Sequence, residues 1–266
     1  MISLSSLTRL RQRCQHADGA PRLPVITDAA GVGGLAALAA FGFLAMIMIS
    51  RHGAALGPDE ALLTWAVDHR PAPVAEAARL LTDSGAGVVP YGIIALAAFL
   101  ATRTLRASLL LCATGWTLVA SGQAVRYSIM LWIHLDRPPR SDWAVRACGY
   151  AFPSGHTTTA ALTAGFLVIL VLALGQRRSR AALVVGTGLW ALLVGASRVY
   201  LCVHWFTDVL GGWLLSVGWL GLWACGLFWW VARHPAPFAA RGRLTPERHD
   251  ERQADTGERS LGDSAG

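Results

Sequence analysis

Six long apolar runs divide this chain: Ala29 to Ser50, Ala86 to Ala101, Ala107 to Ile133, Thr157 to Leu174, Ala181 to Ala196 and Phe206 to Val231. In hydrocarbon every backbone N–H and C=O must be satisfied within the protein, so runs of this kind are compatible with helices. About 17–25 apolar residues cross the roughly 30 Å hydrocarbon core of a bilayer, and the second run is short for that task. The expected fold class is all-α, a polytopic membrane bundle of six transmembrane helices. Composition agrees, with 54% hydrophobic and only 15% charged residues, against about 25% charged in soluble domains.

Charge placement predicts the topology. The 23 basic positions are all arginine, and the formal net charge is +7. Arg9, Arg11, Arg13 and Arg22 precede the first run, Arg103 and Arg106 follow the second, Arg177, Arg178 and Arg180 follow the fourth, and Arg233 follows the sixth. These positions alternate correctly for one cytoplasmic face. Both termini are then inside, and the loops after runs one, three and five face outward. Because the arginines punctuate apolar runs, membrane topology explains them and a nucleic-acid partner is not expected. The first run is too long for a signal peptide and lacks a convincing small-residue cleavage site, so it is expected to remain as a span. The predicted organisation is a cytoplasmic tail over 1–24, a six-span domain over 25–233 and a disordered cytoplasmic tail over 234–266. Between the first two runs, Leu62, Leu63, Ala66 and Val67 share one helical face, and Val74, Ala77, Ala78 and Leu81 another. Both suit helices lying at the interface.

Smaller features have plain readings. Gly31, Gly33 and Gly34 follow no strand, which leaves close helix packing as their role. Trp213, Trp219, Trp223, Trp229 and Trp230 are expected as lipid contacts and interfacial anchors. The five cysteines show no metal-ligand spacing. Cys148 and Cys202 lie beside the polar clusters below, where a disulfide is one option on an oxidising face.

Three polar clusters interrupt the apolar pattern, and all fall on the outward side of the topology drawn from arginine placement. They are Asp136-Arg137-Pro138-Pro139-Arg140, Pro153-Ser154-Gly155-His156, and Ser197-Arg198 with His204 and Asp208. His204 and Asp208 are four apart, so within a helix they share a face. A carboxylate there fixes one tautomer of the imidazole and leaves the other nitrogen free to attack. Arg198 offers a planar fork suited to a phosphate. Ser154 is a candidate N-cap, and Gly155 lets backbone approach a ligand at a helix N-terminus, where the dipole favours an anion. His156 is within reach of the same place as a proton donor. Each cluster alone has a bland reading as a cap, a surface hydrogen bond or a snorkelling anchor. Together they specify an anion site with two histidines.

This pattern resembles the type 2 phosphatidic acid phosphatase superfamily, whose signature is Lys-x6-Arg-Pro, then Pro-Ser-Gly-His, then Ser-Arg-x5-His-x3-Asp. Arg137-Pro138, Pro153 to His156, and Ser197-Arg198 with His204 and Asp208 match it in residue and spacing. The resemblance implies a membrane phosphatase acting on a lipid phosphomonoester or pyrophosphate: phosphatidic acid, phosphatidylglycerophosphate or a polyprenyl (pyro)phosphate. It implies His204 as nucleophile, Asp208 as its orienting carboxylate and His156 as general acid. Arg137, Arg198, Ser154 and the Gly155 amide would hold the phosphoryl oxygens, with no metal or other cofactor. The expected location is the plasma membrane, with the site facing the extracytoplasmic side. One position departs: the signature lysine falls at Met130. Arg126, one helical turn earlier on the same face, and Arg140 are candidate replacements. Two alternatives remain at this stage. One is a catalytically weakened lipid-phosphate binder or transporter. The other is a vanadate-dependent haloperoxidase, a related site found in larger, soluble proteins. Oligomeric state is left open.

Overall fold

The structure, a computed structural model, describes residues 23–174 and 177–233. The N-terminal arginines, Cys14 and the tail from His234 lie outside the described residues. The chain divides into two units, Met1–Trp229 and Trp230–Gly266. Of the second, the described residues include only the end of the last helix, so the following concerns the first.

Among the described residues there are eight α-helices and no strand: α1 (Leu23–Ser50), α2 (Gly57–Asp68), α3 (Ala72–Asp83), α4 (Val89–Ala101), α5 (Leu105–Ile133), α6 (Gly155–Leu174), α7 (Arg177–Tyr200) and α8 (Phe206–Arg233). A 3₁₀ turn at Arg140–Asp142 lies in the loop between α5 and α6. Five segments are long and apolar enough to cross a membrane: Ala30–Ser50, Leu105–Ile133, Gly155–Ala173, Ser179–Tyr200 and Phe206–Leu227. The expected sixth, α4, has 13 residues, about 20 Å of helix against a core of roughly 30 Å. It starts late because Gly87 turns the chain at φ +61° and Pro90 occupies the first turn. It stops where Thr102 becomes extended. The outcome is five full-length helices and one short one.

The two segments expected at the interface form α2 and α3, 12 residues each. Both pack against α7. Their apolar faces, with Leu62, Ala66, Val74, Ala77, Ala78 and Leu81, line a cavity of about 570 Å³ against α7 and the start of α8.

Small residues allow the long helices to approach closely. A Cβ on Gly34 would lie 2.9 Å from the Gly221 Cα, and one on Gly221 would lie 2.7 Å from the Gly34 Cα. Neither position tolerates a side chain without separating α1 from α8. Gly31 similarly abuts Cys225, but Gly33 faces open space, so only two of the three glycines have the expected packing role. The tryptophan expectation also divides. Trp229 and Trp230 are exposed. Trp219 and Trp223 pack on the cluster of Ile94, Leu118, Val119, Leu162 and Phe166. Trp213 sits over Gly195. These last three are half-buried, and Trp219 packs against Gly122 of α5 as Trp213 does against Gly195 of α7. Cys148 and Cys202 are both free thiols, exposed and buried respectively.

Candidate active site

Four helix ends carry the site: the end of α5, the start of α6, the end of α7 and the start of α8. Helix α7 stops in a Schellman turn. Val203 N–H donates to Arg198 O at 3.2 Å and Cys202 N–H to Val199 O at 2.8 Å, with Cys202 left-handed at φ +58°. This places Arg198 in the last turn of α7 and delivers the chain to His204 within a tight corner. Helix α8 begins two residues later. Asp208 Oδ2 reaches back to accept from Trp205 N–H at 2.9 Å, satisfying a donor at the helix start. The start of α6 is tied to the same corner, because Ser154 N–H donates to Asp208 O at 3.0 Å.

His204 and Asp208 are both buried. His204 Nδ1 lies 3.2 Å from Asp208 Oδ2. With Nδ1–H donating to the carboxylate, Nε2 carries the lone pair, and Arg137 Nη1 lies 2.9 Å from it. The arginine fork is therefore where oxygens of a phosphoryl group on Nε2 would sit. Burial holds the His204 imidazole well below the usual histidine range, and the Arg137 and Arg198 guanidiniums add to that. The ring is thus neutral at neutral pH, with a lone pair on Nε2.

Arg137 also braces two loops. Its Nε donates to Gly149 O and its Nη2 to Cys148 O, each at 2.9 Å; Nη2 also donates to Tyr150 O at 3.1 Å, and Nη1 to Val203 O at 2.7 Å. These contacts exclude a snorkelling role. Arg198 is buried, donates from Nη1 to Thr82 Oγ1 at 3.2 Å and has no hydrogen-bond partner on Nε. His156 lies within electrostatic reach of Arg198, Arg137 and Arg126. The Ser154 hydroxyl is buried and accepts from the Thr157 hydroxyl at 3.0 Å, while Gly155 opens α6.

Arg126 joins this cluster. A Cβ on Gly155 would stand 3.2 Å from Arg126 Cζ and 3.3 Å from both Nη atoms, so the guanidinium lies directly against the glycine. Its Nη1 lies 3.2 Å from the Met130 sulfur, and its Nε is buried without a partner. The side chain at 126 thus extends past Met130 to the start of α6. Arg140 is exposed over the Trp143 ring, 5.7 Å from its centroid, and no contact among the described residues joins it to the site. Of the two candidate replacements, only Arg126 is near the histidines.

Three guanidiniums, the amides at the start of α6 and two histidines converge, while the one carboxylate among them is engaged by His204. Arginine Nε groups buried without acceptors are costly, and an anion here would satisfy them. Sequence reasoning missed Thr82, Asp59 and Gln123. Gln123 Nε2 donates to Gly155 O at 2.8 Å and also contacts Thr159 Oγ1. Asp59 accepts from Thr207 N–H at 2.9 Å. Thr82 and Asp59 were legible only as members of amphipathic helices, and their partners are more than 100 residues away in sequence.

Comparison with known proteins finds similarity in both sequence and structure. Residues 131–233 match the family model of the PAP2 superfamily. A phosphatidylglycerophosphatase B of Bacillus subtilis (strain 168) is 41% identical over 92 residues, covering 32% of this chain and 43% of that protein. Another from Haemophilus influenzae is 45% identical over 69 residues, covering 26% of this chain and 29% of that protein. The chain thus spans less than half the length of these curated relatives. A solved transmembrane PAP2 type phosphatidylglycerolphosphate phosphatase from Bacillus subtilis matches with a TM-score of 0.62 at 26% identity, over 76% of this chain and 98% of that one. Residues 131–233 thus match the PAP2 superfamily model, within a bundle of apolar helices that marks an integral membrane protein.

Proposed function

We propose that this protein is a lipid-phosphate phosphatase that works through a phosphohistidine, without a metal. The observation that carries the reading is the surround of His204 Nε2: Arg137 at 2.9 Å, with Arg198, Arg126 and His156 within electrostatic reach.

His204 Nε2 attacks the phosphorus, forming a P–N bond as the bond to the leaving oxygen breaks. Asp208 holds the Nδ1 proton and stabilises the imidazolium that develops. His156, protonated at that stage, gives its proton to the leaving alcohol or phosphate. The same histidine then removes a proton from water as the water oxygen attacks phosphorus. The P–N bond breaks, inorganic phosphate leaves and His204 is neutral again. Arg126, Arg137, Arg198, Ser154 and the Gly155 amide carry the oxygens. They supply the positive field that a metal supplies in other phosphoryl-transfer enzymes.

The substrate class is phosphatidic acid, phosphatidylglycerophosphate or a polyprenyl (pyro)phosphate, and the names of the relatives favour the second. The site at helix ends suits a headgroup at the bilayer surface with its tail in hydrocarbon. In the proposed topology α4 completes a sixth crossing, both termini are cytoplasmic and the site faces outward across the plasma membrane. Phosphate release from a panel of lipid phosphates by the detergent-purified protein, with and without EDTA, tests the activity. Release should survive chelation and disappear in His204→Ala; equal release by that variant would overturn the reading. For topology, the exposed Cys148 should react with an impermeant thiol reagent added outside, and a Ser179→Cys thiol should not. The reverse pattern would invert the protein.

A further inference from the structure

Only two carboxylates are buried among the described residues, Asp208 in the site and Asp59 outside it. Asp59 lies in the first turn of α2, where its Oδ2 accepts from Leu56 N–H at 3.0 Å. That local cap accounts for one of its hydrogen bonds, and a solvent-exposed carboxylate would serve it equally well. The others cross to α8. Asp59 Oδ1 accepts from Thr207 N–H at 2.9 Å, and Oδ2 accepts from the Thr207 hydroxyl at 3.1 Å. Thr207 is the second residue of α8, directly before Asp208 and three after His204. A carboxylate at this place is favoured by the exposed N–H groups and the dipole of α8.

The geometry points to Asp59 as the positioning residue of the nucleophile: by clamping the first turn of α8 from α2, it fixes Asp208 and thereby the direction of His204 Nε2. The inference rests on the phosphohistidine reading and deepens it. Asp208 Oδ2 serves both Trp205 N–H and His204 Nδ1, so a small rotation of this turn degrades the bond that orients the ring. Arg126 on α5 stands against Gly155 at the start of α6, and neither touches Asp59, while Ser154 is joined to this turn through its backbone N–H on Asp208 O. Loss of the clamp should therefore weaken in-line attack more than phosphate binding.

The test compares wild type, Asp59→Asn and Thr207→Val in detergent. It reads kcat on a short-chain phosphatidic acid and the inhibition constants of orthovanadate and inorganic phosphate. Vanadate binds as a five-coordinate species and needs an aligned Nε2, whereas phosphate needs only the anion pocket. Inhibition constants do not depend on the fraction of protein that is folded, so they separate positioning from stability. Asparagine keeps one acceptor but turns an NH2 toward donors. In Asp59→Asn, kcat should fall about tenfold or more and the vanadate constant rise by a similar factor, as expected for loss of a hydrogen bond to a charged group. The phosphate constant should stay within about threefold. Thr207→Val, which retains the backbone bond, should shift in the same direction by less, and decides the matter if Asp59→Asn does not fold. Unchanged kcat overturns the proposal, as does a fall in kcat with both constants unchanged or a parallel rise of both. Wild-type protein that neither releases phosphate nor responds to vanadate contradicts the proposed function itself. Active wild type with an indifferent Asp59→Asn contradicts only the clamp.

Discussion

The segment from Asp136 to Asp208 and the hairpin of α2 and α3 both hold buried polar side chains, but for different purposes. In the first, guanidiniums and imidazoles converge at fixed spacings, and Arg198 Nε is buried with no protein partner. In the second, polar groups are paired, and they are paired into the site: Asp59 to Thr207, Thr82 to Arg198, and Arg70 Nη1 to the Cys202 sulfur at 3.0 Å. In the proposed mechanism the first region carries the chemistry, and the second fixes where that chemistry points. The family match covers residues 131–233, and the hairpin packed against those residues lies outside it.

The sharpest break in that comparison comes from the chemical side. Asp208→Ala should lower kcat by about 10³–10⁴-fold, since it removes the group that selects the His204 tautomer; steady-state phosphate release reads this directly. Next in size is Arg126→Met, expected to cost about 100-fold, the scale for removing one charge-stabilising donor. Adding Met130→Lys to that variant should restore part of the loss, because the Met130 sulfur lies 3.2 Å from Arg126 Nη1 and a lysine there starts beside the same guanidinium position. No recovery in the double variant would mean that position 126 acts through packing alone. Gly155→Ala should cost about tenfold, because the new methyl would stand 3.2 Å from Arg126 Cζ and displace the fork. From the hairpin side, Thr82→Val should lower kcat/KM by roughly threefold to tenfold, since Arg198 retains its charge and loses one hydrogen bond. An effect as large as that of Arg126→Met would erase the proposed division of labour.

The smallest effect concerns stability. The His204 pKa is depressed in the folded protein, chiefly by burial. As pH falls through the ordinary histidine value of about 6.5, the unfolded chain takes up a proton that the folded protein refuses. Stability should therefore decline toward acid pH. His204→Gln should flatten this decline in thermal unfolding measured between pH 7.5 and 5.5.

Much of this molecule was legible before its coordinates, for reasons that differ by region. Apolar runs predict helices because hydrocarbon permits little else, and the three polar clusters stand out because charge at a span end needs a purpose. His204 and Asp208 could be paired on paper because a helical turn alone brings them together. Asp59 and Thr82 could not, because their partners lie 148 and 116 residues away and depend on how α2 and α3 pack against the bundle. The short run expected from Ala86 starts as a helix only at Val89, because hydropathy does not register the turn at Gly87. The helix packing of Trp213 over Gly195 and of Trp219 over Gly122 is not legible in the sequence, because an indole facing lipid and one above a glycine read alike. Helix geometry offers Arg126 as one candidate, and the packing of its guanidinium against Gly155 singles it out.

Rapid-quench trapping tests the central claim most directly. The purified protein is mixed with a phosphoryl-labelled lipid phosphate, quenched in alkali and digested. The account predicts label on the peptide containing His204, stable to base, released by acid, formed faster than free phosphate and absent from His204→Ala. Turnover without label on His204, or with the label on another residue, would contradict it.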